Sequence, residues 1–192
     1  MHVTTYQLTI HNSYGKGPYH VEFYLQFQNG DKGYMMVELP SIRELPHSVS
    51  TFMELVEAKV YDNTLITGKN GKINIEIASS SNAKDGGALQ LDNVHRVLGF
   101  SDTAILFDEN NTNRNKYGCQ NNWLGYNGLG PNLKLYASTN NNFSCFGQII
   151  QGLKFIENIR LATTQRNESV QLVMAKVLTK PIKTKITRND EL

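Results

Sequence analysis

The sequence predicts a mainly β single domain that carries two separated helices. Short segments alternate apolar and polar residues with the period of two expected of half-buried strands, and helical spacing occurs in two places only. Strands and helices also fail to alternate regularly, which argues against a parallel α/β sheet. The chain has 192 residues, 40% of them hydrophobic, enough for one sizeable core, and no internal repeat divides it.

Taken in order, residues 3–10 alternate and predict a leading strand, followed by a loop over 12–18. In Tyr19–Phe27 the apolar Val21, Phe23, Leu25 and Phe27 share one face, so this segment is a strand. Residues 28–33 supply Asn and Gly, which tolerate the positive φ of a tight turn, and Tyr34–Leu39 returns as the second arm of a hairpin. Pro46–Glu57 places Val49, Phe52, Met53 and Val56 at spacings of three and four, the pattern of a helix with a proline in its first turn. A further strand follows around Ile73, Ile75 and Ile77. Residues 79–87 and 108–122 are polar surface loops, and Leu133–Ser138 and Phe146–Ile150 are strands. Leu153–Leu161 is a short helix and Val170–Leu178 a closing strand.

Charge and composition exclude several classes of function. Lys and Arg number 19 against 17 Asp and Glu, a net charge of +2 that is too small for a broad nucleic-acid-binding field. The basic residues near the end, Lys176, Lys180, Lys183, Lys185 and Arg188, are spaced as the solvated face of a strand or tail. No run of about 18 apolar residues is present to span a bilayer. The five histidines have no metal-ligand or triad spacing, and Gly125, Gly128 and Gly130 lack the Lys-Ser/Thr of a phosphate loop, so neither metal nor cofactor is expected. Cys119 and Cys145 allow one disulfide or two separate buried thiols. Sequons at Asn110, Asn142 and Asn167, with the terminal Asn-Asp-Glu-Leu, predict the lumen of the secretory pathway; the alternative is the cytoplasm.

Several segments, in order, resemble a cyclophilin. Leu45-Pro46-His47-Ser48-Val49-Ser50-Thr51-Phe52 is similar to the family's "PKTVENF" entry to its first helix, and Tyr61-Asp62-Asn63-Thr64 resembles the passage before its substrate groove. Residues 125–132 resemble the glycine-rich run ending in Gly-Pro-Asn, and Phe146-Gly147-Gln148-Ile149-Ile150-Gln151-Gly152 matches "FGKVVEG" ahead of Ile156-Glu157-Asn158-Ile159. The resemblance covers residues 19–178, leaving 1–18 as an extension or extra strand and 179–192 as a tail. It implies a closed eight-stranded antiparallel barrel capped by two helices, with an outer groove for an extended or proline-containing peptide or a protein partner.

Active family members polarise the prolyl amide with an arginine set over an apolar floor, beside a glutamine, a tryptophan and a histidine. Counting without gaps from Tyr61, the family's Phe-His-Arg falls on Ile66-Thr67-Gly68, so Gly68 stands where the arginine is required. The same count puts Ile73 and Asn74 on the apolar pair and Glu76 on the glutamine; Tyr136 takes the aromatic floor and Phe143 the histidine. Trp123 does not align with the groove tryptophan. The expectation is therefore a peptide-binding or scaffold domain with a degenerate groove and no catalytic residue retained. The alternative is an active peptidyl-prolyl isomerase whose donor comes from elsewhere, with Arg96 and Arg114 among the candidates.

Overall fold

A computed structural model describes residues 10, 12–69, 72–76, 118–126, 132–136 and 140–179. Eight strands close into an antiparallel barrel: β1 (Tyr19–Phe27), β2 (Lys32–Leu39), β3 (Thr64–Lys69), β4 (Lys72–Glu76), β6 (Trp123–Tyr126), β7 (Leu133–Tyr136), β9 (Gly147–Gln151) and β10 (Val170–Leu178). Around the barrel the order is β1-β10-β3-β4-β7-β6-β9-β2, and β2 returns to pair with β1. The remaining strands, β5 (Gly118–Cys119) and β8 (Asn140–Ser144), form a separate two-stranded ribbon. Such closure removes the sheet edges that would otherwise need protection.

An eight-stranded barrel is just wide enough to be filled by its own side chains, and this one is. Val21, Phe23, Leu25, Val37, Leu39, Leu124, Leu133, Leu135 and Leu172 all point inward and are buried. Helix α1 (Pro46–Glu57) closes one end. Its Phe52 sits 5.0 Å from the Phe146 ring and 5.5 Å from Tyr61, and meets Phe23 edge-on at 6.3 Å. The Tyr126 hydroxyl donates to the Ser48 carbonyl at 3.1 Å, tying β6 to the same helix.

Helix α2 (Leu153–Arg160) closes the other end, where Phe155 lies 6.3 Å from Phe27. Gly152 starts it in the left-handed region at φ 78°. A Cβ there would collide with the Tyr34 carbonyl oxygen, so the abrupt strand-to-helix turn needs glycine. Beyond Arg160 the helix widens into a π turn over Leu161–Gln165. The Thr163 and Thr164 hydroxyls donate back to the Ile159 and Arg160 carbonyls, a local competition with the α-helical ladder.

The Tyr61–Thr64 segment is a turn with defined chemistry. Asn63 adopts φ 58°, the Thr64 hydroxyl donates to the Tyr61 carbonyl at 2.8 Å, and Asp62 Oδ1 accepts the Ala175 N–H at 3.0 Å. Two expectations for the first 18 residues fare differently. Residues 12–14 are helical rather than loop, and Ile10 is buried in the core; residues 3–9 of the expected leading strand lie outside the described residues. Also outside them are Asn110, Arg96, Arg114, the tail from 180 onward and the glycine-rich run over 127–131. No helix among the described residues is long and apolar enough to cross a membrane.

Candidate functional site

Strand pairing decides which predicted groove residues meet. In β3 and β4, Ile66 pairs with Ile75, Gly68 with Ile73 and Thr67 with Asn74. Ile66 and Ile73 are both 1% exposed, so this register face points into the barrel. Gly68 shares that face and abuts the π turn. A Cβ there would overlap Thr163 Oγ1, and would lie 2.8 Å from Thr163 Cβ and 2.9 Å from Thr164 Cγ2. The space a longer side chain needs is therefore already filled. Glu76 pairs with Leu65, and Asn74 with Thr67 and Lys134, on the opposite register face.

Tyr136, which the resemblance assigns to the aromatic floor, lies on β7 and is covered. Leu133 and Leu135 face inward on β7, which leaves Lys134 and Tyr136 on the outside. Tyr136 is nonetheless only 6% exposed, because it packs with Cys119, Cys145 and the partly buried Trp123. Burial raises the pKa of its hydroxyl. Cys119 and Cys145 are joined as a disulfide, their Cα atoms 5.0 Å apart. That bond links the β5–β8 ribbon to the start of β9. Phe143 and Asn142 both belong to β8 in this ribbon.

Lysine rather than arginine reaches the floor. Lys134 Nζ stands 5.0 Å from the centre of the Tyr136 ring, a cation–π arrangement. Strands β3, β4, β6 and β7 contain no arginine. Arg160 and Arg166 form ion pairs with Glu157 and Glu168 at the far side of α2 and the turn after it.

The residue that sequence reasoning passed over is Trp123. It pairs with Tyr136 on one side and Gln148 on the other; Gln148 pairs with Glu38, and Glu38 with His20. These five side chains make one row across five strands on the outside of the barrel. Nothing in the local sequence marks this row, since its members come from distant segments and only the register aligns them. Next to it lies an open cavity of about 370 Å³, lined in part by Trp123, Gln148, Glu38, Glu44, Pro18 and Pro40.

No family model matches the sequence, and no curated protein aligns with it. Structural comparison is informative. The crystal structure of the Mimivirus cyclophilin matches this chain with a TM-score of 0.53 and 12% identity, across 86% of this chain and 92% of that one. The fold is cyclophilin-like. The closed barrel, the helix at each end and the Gly152 turn thus agree with the order of motifs along the sequence. At this level of identity the cyclophilin likeness concerns architecture, and the chemistry must be argued from the residues themselves.

Proposed function

We propose that this chain is a cyclophilin-like peptide-binding or scaffold domain whose original groove is closed and does not isomerise prolyl bonds. Two observations support this reading: Gly68, where the arginine is expected, points into the barrel against Thr163 and not onto its outer surface, and Tyr136 is covered by the Cys119–Cys145 disulfide. Rotation about an imide must lose amide resonance, a barrier of about 18–20 kcal/mol in ordinary peptides. A preorganised cation beside the reacting amide is the usual means of lowering it. An open aromatic floor is needed to seat the prolyl ring, and here the protein's own side chains occupy that floor. Measured on a standard Ala-Pro peptide, isomerisation in the presence of the protein is expected to keep its uncatalysed rate, with a time constant of about tens to hundreds of seconds.

One observation favours the second reading, an active isomerase. Lys134 holds an ammonium group over the ring that resemblance assigns to the substrate proline. Acceleration of the Ala-Pro peptide that disappears in Lys134→Met would establish this reading and overturn the first.

For location, the secretory lumen remains the proposal. A disulfide between Cys119 and Cys145 suits an oxidising compartment, and the Asn167 sequon sits on an exposed turn between the π turn and β10. Glycosidase treatment of native protein is expected to increase its gel mobility, and unchanged mobility would count against the proposal.

A further inference from the structure

We infer that the outer face of β2, β6 and β9 binds a cationic side chain, an arginine or lysine presented by an extended peptide. This rests on reading the chain as a peptide-binding domain, but it uses a different surface from the closed groove. The cavity of about 370 Å³ is in the range of ligand pockets, about 300–1,000 Å³. Among its described lining residues the charged groups are Glu38 and Glu44, both acidic. Trp123 supplies an indole wall, on which a guanidinium can stack or the stem of a lysine can lie.

The carboxylate of Glu38 is held in place. Its Oε2 lies 3.2 Å from His20 Nε2, while its side chain remains 40% exposed and open to a ligand. Gln148 stands exposed between Trp123 and Glu38 in the register row, where its amide can both donate to and accept from a peptide backbone. Pro18 and Pro40 form apolar rims that suit the methylene stem of the side chain. An anionic ligand would meet two carboxylates here. A neutral apolar ligand would partly desolvate the exposed Glu38 carboxylate without returning a charged contact.

Because Trp123 is the only tryptophan, intrinsic fluorescence reports directly on this wall. The probe is acetyl-Gly-Gly-Arg-Gly-Gly amide, titrated beside the same peptide with citrulline, which keeps the shape and removes the charge. The arginine peptide is expected to bind about tenfold more tightly than the citrulline one, and Glu38→Gln is expected to remove most of that difference. Amide NMR shifts should centre on Gln148 and Glu38, which locates the ligand independently of the fluorescence and reports that Glu38→Gln is folded. Equal affinity for the two peptides, no binding of either, or an arginine preference that survives Glu38→Gln combined with Glu44→Gln would overturn the site. Binding with shifts centred on Thr67 and Lys134 would overturn it too, while leaving the binding-domain reading intact. Accelerated prolyl isomerisation would do the reverse.

Discussion

Strands β1, β2 and β10 are eight or nine residues long and pair along almost their whole length, whereas β6 and β7 across the barrel have four residues each. The long side is held by continuous ladders and by inward rows such as Val21, Phe23 and Leu25. The short side has less ladder and less core per strand, and it gains support from a disulfide, from Trp123 packed beside it and from Lys134 over the Tyr136 ring. The difference shows where this architecture can change its chemistry. The long strands cannot alter their alternation without losing the core. The outward positions of the short strands carry no such constraint, and Trp123, Lys134 and Tyr136 are found there.

The largest test of this contrast is Phe52→Ala. Phe52 is fully buried and touches rings from β1, the turn before β3 and the segment before β9, so its loss should cost about 4 kcal/mol in urea unfolding. If far-UV circular dichroism and Trp123 fluorescence then give separate transitions, the two sides are not one cooperative unit. Next comes the pair Cys119→Ser with Cys145→Ser. A crosslink spanning 26 residues constrains the unfolded chain by about 3 kcal/mol, and its removal should also loosen the ribbon over Tyr136. The expected signature is a rise in Trp123 emission and a gain in solvent reactivity of Tyr136. Unchanged Tyr136 reactivity would show that the ribbon is not what covers the ring.

Gly68→Ala should cost about 2 kcal/mol, since even one methyl group must push Thr163 and Thr164 aside. A neutral result in thermal unfolding would show that the π turn yields easily and would weaken the argument that this position is closed to a longer residue. The smallest effect belongs to Glu54 on α1, whose pKa is pushed up to about 7, first by burial and then by the neighbouring Glu57. Its Oε2 finds no hydrogen-bond partner among the described residues. The raised value means that the protonated form is favoured in the folded state. This contribution is therefore complete below about pH 4.5, and is lost as the pH rises through about 7. Glu54→Gln should be more stable than the parent at pH 8 by about 1 kcal/mol, discounted for a carboxylate that still meets water, and the gap should close by pH 4. A pH-independent difference would remove the ionisation argument.

Local patterns made much of the barrel legible. The observed limits of β1, β10 and α1 coincide with the segments read from periodicity, because alternation and helical spacing are properties of consecutive residues. Gly152 was equally readable, since a strand that must hand over to a helix at once requires a residue free to take positive φ. The end of α2 was harder. The predicted Leu153–Leu161 becomes an α-helix to Arg160 and then a π turn, where two threonine hydroxyls compete for carbonyls. The two-residue β5 was hidden within an Asn-rich stretch, with too few residues for any period to register.

For the candidate site the division is sharper. The sequence alone determined which residue types stand where the resemblance counts the groove: glycine for the arginine, tyrosine for the aromatic floor, and one tryptophan outside the aligned set. Tertiary structure decided what those residues touch. Gly68 meets Thr163 from 95 positions further along, Tyr136 lies under a bridge between Cys119 and Cys145, and Trp123 stands in line with Gln148 and Glu38. Such contacts depend on strand register around a closed barrel, and register is a global property: each pairing is set by the burial of every other inward row.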